Sequence, residues 1–168
     1  MQDDERKAKF LEAMSRGATF VTVLTTEGEA GRFGVTVSSM TSVSADGFAP
    51  TILACVHQKS EAAQAILANK SFCANILHEN QQDISDLFSG RHKTEHTARF
   101  DTINWSKSAG GQPMIAGATA NFDCILRTSV LWDTHHIMIS HVMDVQLNQD
   151  PQALLYGQRA YRKAVSIP

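Results

Sequence analysis

One stretch of the chain, residues 34–44, carries a row of short hydroxyl side chains on a strand-like backbone. It reads Gly-Val-Thr-Val-Ser-Ser-Met-Thr-Ser-Val-Ser, so that Val35, Val37 and Val43 are set among serines and threonines. Because each hydroxyl both donates and accepts hydrogen bonds, this row could form a wall for a flat polar ligand lying close to the backbone. A solvent-facing edge strand with hydroxyls for solubility would look the same, and the stretch alone leaves both interpretations open.

A lysine–serine pair, Lys59 and Ser60, stands between a predicted strand (Thr51 to Val56) and a predicted helix that begins near Ala62. Ser60 occupies the position of a helix N-cap. The free N–H groups and the dipole of a helix N-terminus attract anions, and Lys59 adds a full positive charge. The pair therefore predicts either an anion-binding turn or an ordinary capped surface helix with a solvated lysine.

Two histidines, His92 and His96, have a spacing that would place both imidazoles on one face of a helix. The segment lacks the His-Glu-x-x-His arrangement of a zinc protease, and acidic ligands are not clustered around it. We therefore expect no metal site.

The composition limits the class of protein. A chain of 168 residues with 43% hydrophobic and 19% charged residues is typical of one soluble globular domain. The net charge of −2, with no basic stripe, argues against a nucleic-acid partner. No apolar run approaches the ~20 residues of a membrane span, and the polar N-terminus does not resemble a signal peptide. The three cysteines are far apart in apolar surroundings, which predicts reduced thiols in a cytoplasmic protein.

Alternating and β-branched segments outnumber helical ones along the chain. Helices are expected at Asp3–Arg16, from Ala62, and at Glu79–Phe88, and strands at Ala18–Thr26, Phe33–Ser44, Thr51–Val56, Ser71–Leu77, Phe100–Trp105, Ala118–Leu131 and His135–Leu147. A polar loop is expected at Ser89–Ala98. Six or seven strands joined by short turns favour a small antiparallel barrel with peripheral helices over a layered α/β sheet. No strand–Gly-x-Gly-x-x-Gly–helix unit supports a dinucleotide site of the Rossmann type.

The segments 34–44, 53–60 and 72–77, taken in this order and spacing, resemble the short-chain flavin reductases. The likeness is strongest to the reductase components of 4-hydroxyphenylacetate 3-monooxygenases, and it covers nearly the whole chain. It implies a single domain over residues 1–168 with the split antiparallel β-barrel of the FMN-binding type. It also implies FMN or FAD as the flavin, NADH or NADPH as co-substrate, a homodimer, and a separate oxygenase component that receives the reduced flavin.

The resemblance also assigns roles to individual positions of this chain. The isoalloxazine ring is expected along Thr36, Val37, Ser38 and Ser39, and then along the backbone of Cys55 and Val56. The flavin phosphate is expected at Lys59 and Ser60. Phe72, Cys73 and Ala74 are expected to line the same groove, and Phe100, which follows Arg99, is expected near the cofactor.

A turn that carries Asp133, Thr134 and His135 corresponds to a Gly-Asp-His or Gly-Thr-His turn of that family. The resemblance places His135 near the nicotinamide, although a histidine at a strand end can also have no role. Asp133 and Ser140 stand where the family has glycine, and the Asp133 side chain is expected to change the geometry of the turn or the preference for the pyridine nucleotide. Hydride transfer requires two rings stacked about 3–3.5 Å apart and therefore depends mainly on positioning. We expect no nucleophile or triad.

Two other functions fit the same residues. A flavin-binding electron carrier or sensor would use the same groove without reductase turnover. An interaction domain with serine-rich edge strands would bind no flavin at all.

Overall fold

The computed structural model describes residues 3–90 and 94–167. The helices are α1 (Asp3–Ser15), α2 (Glu61–Asn69), α3 (Gln82–Phe88) and α4 (His96–Phe100). The strands are β1 (Thr19–Phe20), β2 (Thr22–Gly28), β3 (Gly31–Val37), β4 (Thr41–Ser44), β5 (Thr51–His57), β6 (Ser71–Ile76), β7 (Trp105–Lys107), β8 (Pro113–Ile115), β9 (Ala120–Trp132), β10 (His135–Leu147), β11 (Leu155–Gly157) and β12 (Ala160–Arg162).

Seven of these strands form one antiparallel sheet in the order β3-β2-β6-β9-β10-β5-β4. Its centre is the long hairpin of β9 and β10, with 13 residues in each strand. The sheet curves, so that the hydroxyl of Ser39, just after β3, reaches the backbone of Cys55 in β5. The mainly β fold with peripheral helices, as expected for a split barrel of the FMN-binding type, is confirmed.

Two hydrophobic cores are built by strand alternation, since Leu24 of β2 belongs to the larger one and Val23 to the smaller one on the opposite face. The larger core includes alternate residues of β5. In β5, Ile52, Ala54 and Val56 are buried while the residues between them are partly exposed. Helix α2 covers this core with an apolar face that includes Ala63 and Ile66. Lys70 ends the helix in the left-handed conformation, with φ of 61°.

Asn75 is a fully buried polar residue that joins three strands and a hairpin. Its Nδ2 donates to the carbonyl of Val23, 2.9 Å away, and to Thr25 Oγ1. Its Oδ1 accepts from the N–H of Ile115 at 2.9 Å and from Asn121 Nδ2 at 2.8 Å. The amide therefore links β2, β6, β8 and β9 where no water can replace a lost partner.

Several predicted elements differ in their bounds, since the helix expected from Glu79 begins at Gln82 and the loop expected to extend to Ala98 contains the start of α4 at His96. Two predicted strands differ most. The expected strand Phe33–Ser44 is broken, since β3 pairs with β2 whereas β4 pairs with β5. The break occurs at Ser39, whose hydroxyl bonds to the carbonyl and the N–H of Cys55 in β5. These side-chain bonds replace a continued pairing of the strand with β2. The expected strand Phe100–Trp105 is instead the end of α4, a turn, and the start of β7.

The N-terminal helix has the predicted apolar residues, but they face away from the core. Phe10, Leu11 and Met14 are each more than half exposed, and α1 buries no residue. The helix is therefore peripheral in the single chain.

Candidate functional site

An open groove of about 900 Å³ lies where the two ends of the curved sheet approach each other. One wall is β3 and the serines that follow it, and the opposite wall is the end of β5. The turn into α2 closes one end, and residues from α3 and α4 complete the border. The volume is within the range of about 300–1,000 Å³ that small-molecule sites occupy.

Strand β3 offers backbone hydrogen-bonding groups to the groove because it ends the sheet. It pairs only with β2, so that its outer edge has no ladder partner among the described strands. An unpaired strand edge presents alternating N–H donors and C=O acceptors. Gly34 permits close packing behind this edge, since a Cβ there would lie 2.6 Å from ring atoms of Phe88.

The hydroxyl row mostly serves to hold the wall in place. Thr36 Oγ1 donates to the carbonyl of Ser85 at 2.7 Å, which fixes β3 against α3. Ser39 Oγ donates to the carbonyl of Cys55 and accepts from its N–H, at 3.0 and 2.9 Å. Ser38, in contrast, is exposed at the groove. The groove therefore offers a planar ligand mainly backbone groups and Ser38.

The turn at Lys59 and Ser60 forms a cationic end to the groove. Ser60 is the N-cap of α2 as predicted, but its side chain makes no capping hydrogen bond to the helix. Lys59 is exposed, and its N–H donates to His57 Nδ1 at 3.0 Å. Lys59, Ser60 and the positive end of a nine-residue helix thus line one part of the groove.

His135 lies at the rim of the groove beside a second histidine, His57. The two residues are cross-strand partners, and their rings meet edge to face with centroids 5.0 Å apart. Thr134 Oγ1 lies 2.9 Å from His135 Nδ1 and orients the ring. Asp133 has φ of 49°, the left-handed conformation that explains a glycine in related turns and that aspartate tolerates.

Ser140, the other residue expected at a position where the family has glycine, does not line the groove. It is fully buried in β10 at an irregularity of the ladder with β9. Its hydroxyl has no hydrogen-bond partner among the described residues. The substitution therefore affects the interior of the sheet.

Four charged or titratable residues of the groove were not predicted as site residues: His57, Glu61, His96 and Arg99. His96 Nε2 lies 3.1 Å from Glu61 Oε2, and His96 Nδ1 lies 3.4 Å from Arg99 Nη1. Burial, and then the nearby guanidinium, lower the pKa of His96 below its ordinary value, whereas Glu61 opposes this shift. The imidazole is therefore mostly neutral at pH 7. Only the position of Arg99 next to Phe100 hinted at this cluster.

The structure brings together nine of the predicted site residues and leaves four outside the groove. Those that line it are Thr36, Val37, Ser38, Ser39, Cys55, Val56, Lys59, Ser60 and His135. Phe72, Cys73, Ala74 and Phe100 do not line it. Phe72, Ala74 and Phe100 are buried in the two hydrophobic cores, and Cys73 is fully buried on the opposite face of β6 from Phe72 and Ala74. Burial also raises the pKa of the Cys73 thiol well above its usual range, so that the thiol stays protonated.

No metal centre or membrane-spanning helix is found in the described part of the chain. Residues 3–90 and 94–167 contain no group of three or more histidine, cysteine, aspartate or glutamate side chains arranged to hold a metal ion. His92 lies outside these residues. Among the described helices, none is long and apolar enough to cross a membrane.

Comparisons with a family profile, with known sequences and with solved structures all match the same family of proteins. A family profile described as "Flavin reductase like domain" matches residues 14–164. The FMN reductase (NADH) RutF of Stutzerimonas stutzeri is 36% identical over 152 residues, covering 90% of this chain and 85% of that protein.

Two solved structures have the same fold over almost their whole length. The styrene monooxygenase flavin reductase SMOB of Pseudomonas putida S12 is 28% identical with a TM-score of 0.82, covering 95% of this chain and 99% of that one. The NADH:FAD oxidoreductase SgcE6 of Streptomyces globisporus C-1027, in complex with NAD and FAD fragments, is 25% identical with a TM-score of 0.87. That match covers 98% of this chain and 96% of SgcE6.

Proposed function

Because this chain belongs to the flavin reductase like domain family, we propose that it is an NAD(P)H:flavin oxidoreductase. The family resemblance inferred from the sequence is thereby confirmed. The reaction is hydride transfer from a nicotinamide to FMN or FAD, and relatives named as NADH-dependent FMN reductases support NADH with FMN. The observation that carries the proposal is the groove itself, which joins an unpaired strand edge to a cationic turn.

The residues present fit a flavin. Its ring system has carbonyls and an N–H that the outer edge of β3 can bind, with Ser38, Ser39 and the Cys55–Val56 backbone completing the wall. Its phosphate would meet Lys59 and Ser60 at the α2 N-terminus. A bound flavin would supply the hydride acceptor and a reduced nicotinamide the hydride donor, so that the residues of the groove contribute orientation.

The groove residues act by positioning. Two rings held about 3–3.5 Å apart need no nucleophile and no general base. His135, held by Thr134 and flanked by His57, stands at the rim where a nicotinamide would enter over the flavin. We assign to His135 the orientation of that ring.

Replacing His135 with alanine is expected to raise the KM for NADH about three- to ten-fold, because about 0.5–1.5 kcal/mol of hydrogen bonding is lost. The affinity for flavin should stay unchanged. His136→Ala is the matched control, since the His136 ring lies by Ser129, away from the groove. Steady-state kinetics together with flavin titration test this, and an equal effect of both substitutions would contradict the role of His135.

The proposed partner is a flavin-dependent oxygenase component that accepts the reduced flavin. Several related structures are reductase components of such two-component systems, including a tryptophan halogenase and a styrene monooxygenase. The groove is open on one side, which is compatible with release of the flavin after reduction.

We also propose that two copies of the chain associate. The outer face of β5, β10 and β9 is apolar and partly exposed, with cross-strand pairs that place Leu53 by Ile139 and Ile137 by Val130. Trp132, 70% exposed, extends this surface. Sedimentation analysis should find a homodimer, and a monomer at micromolar concentration would contradict this proposal.

Two further proposals concern the whole chain. The match over residues 14–164 supports a single flavin reductase-like domain over residues 1–168. The three cysteines are unpaired, which supports a cytoplasmic location, where thiols stay reduced.

The proposed activity is tested by a steady-state assay that combines FMN or FAD with NADH or NADPH. The reductase should oxidise at least one nicotinamide at a rate that depends on added flavin. A protein that holds flavin tightly while NAD(P)H oxidation stays at background would instead be a carrier or sensor. Absence of flavin binding at any concentration would point to an interaction domain.

A further inference from the structure

The turn that leads from β5 into α2 is closed on one residue, His57. The carbonyl of His57 accepts a hydrogen bond from the N–H of Ser60 at 2.9 Å, and its ring Nδ1 accepts one from the N–H of Lys59 at 3.0 Å. The second bond joins a side chain to the N–H two residues further on, which is the pattern of an Asx turn. The His57 side chain therefore holds the backbone of the turn that forms the cationic end of the groove.

The same ring also contacts the histidine at the rim of the groove. His57 and His135 are cross-strand partners, and their rings meet at an angle of 78° with centroids 5.0 Å apart. A backbone hydrogen bond joins the two turns, since the N–H of Gln58 donates to the carbonyl of Thr134 at 2.8 Å. One side chain thus lies between the cationic turn and the rim.

We propose that His57 is a positioning residue for both substrates, an inference that rests on the proposed function. Its Nδ1 fixes the turn that would meet the flavin phosphate, and its ring limits the orientations open to His135 beside the nicotinamide. Because Nδ1 accepts a hydrogen bond, the neutral ring carries its proton on Nε2. The bond at Nδ1 also fixes the plane of the ring that His135 contacts.

The two roles can be separated because His57 is dispensable for the fold. Its side chain is exposed and belongs to neither hydrophobic core. Surface substitutions of this kind usually change stability little. Changes in ligand constants on substitution therefore report on the groove.

His57→Asn keeps the acceptor and removes the ring. The asparagine Oδ1 can accept from the N–H two residues further on, as in an Asx turn, so that the Kd for FMN should stay within two-fold. The loss of the ring beside His135 should raise the KM for NADH, measured at saturating FMN, about three- to ten-fold.

His57→Phe makes the opposite change, because it keeps a ring beside His135 and removes the acceptor. The Kd for FMN should rise about three- to ten-fold, since the N–H of Lys59 loses its partner and the turn is no longer fixed. The KM for NADH at saturating FMN should stay within two-fold. The matched controls are His136→Asn and His136→Phe, at a histidine of β10 that does not line the groove, and they should change neither constant.

The role of His57 is overturned by an unchanged Kd for FMN in His57→Phe or by an unchanged KM for NADH in His57→Asn. It is also overturned if both variants change the same constant equally. Nitrogen-15 NMR of the unaltered protein tests the geometry independently, with the His57 signals assigned by their loss in His57→Asn. At alkaline pH the ring should carry its proton on Nε2, and a proton on Nδ1 would contradict the proposal.

FMN-dependent oxidation of NADH by the unaltered protein reports the proposed function separately. If that activity is present and the two variants do not show the opposite effects, only the role of His57 fails. If that activity is absent with all four combinations of flavin and nicotinamide, the proposed function fails, and the role of His57 fails with it.

Discussion

Replacing Lys59 and Ser60 together with alanine is expected to weaken FMN binding about ten- to one-hundred-fold. The substitution removes an ammonium and a hydroxyl from the one turn where both converge with the N-terminus of α2. A charge-assisted hydrogen bond contributes about 1.5–3 kcal/mol, and each 1.4 kcal/mol is a factor of about ten in Kd. Titration of flavin fluorescence with the protein measures the change directly.

A matched lysine–serine pair is available as a control. Ser106 and Lys107 are both exposed on β7 and do not line the groove. Replacing both with alanine should therefore leave the Kd for FMN within two-fold. FMN has one phosphate and no adenosine. Phosphate contacts that the variant loses at the turn therefore cannot be offset by contacts with an adenosine. Unchanged affinity in the Lys59–Ser60 variant would remove this turn from the flavin site.

The largest effect on stability is expected from Asn75→Ala. The substitution leaves the N–H of Ile115 and the carbonyl of Val23 without this partner in a fully buried place, and it removes one of the two acceptors of Asn121 Nδ2. Each buried group left unsatisfied costs about 1–3 kcal/mol, so we expect the free energy of unfolding to fall by about 3 kcal/mol or more.

Urea denaturation followed by circular dichroism measures this loss. Asn104→Ala is the control, because Asn104 is exposed and its side chain makes none of the hydrogen bonds found in the described residues. A change within about 0.5 kcal/mol is expected there. If both variants unfold at the same urea concentration, the Asn75 amide does not hold the four strands together.

The parts of the site that follow one another along the chain could be predicted from sequence. The hydroxyl-rich wall and the Lys59–Ser60 turn are local features, since a strand and a helix N-cap each leave a short-range pattern. Their resemblance to a known family then placed both in one groove together with His135.

The remaining parts depend on how the sheet curves. Glu61, His96 and Arg99 lie close together because α4 packs against β3 and the start of α2. The periodicity of a sequence does not predict such contacts between distant segments. Phe72 and Ala74 illustrate the opposite case. Their strand, β6, lies in the middle of the sheet, so that their side chains are used by the core and cannot reach the groove.

The end of β3 after Val37 could not be predicted from the local sequence either. Residues 38–40 continue the hydroxyl-rich stretch, but the Ser39 side chain binds the backbone of Cys55 in β5. An interaction between residues 16 positions apart decides this geometry. It also brings the two walls of the groove together.

Anaerobic mixing of the protein with FMN and NADH tests the central claim most directly. The absorbance of oxidised flavin should disappear far faster than in a mixture without protein. In the Lys59–Ser60 variant the reaction should slow at low FMN concentration and recover as FMN is raised, because only binding is impaired. Flavin reduction at the protein-free rate, with the unaltered protein saturated with FMN, would contradict the account.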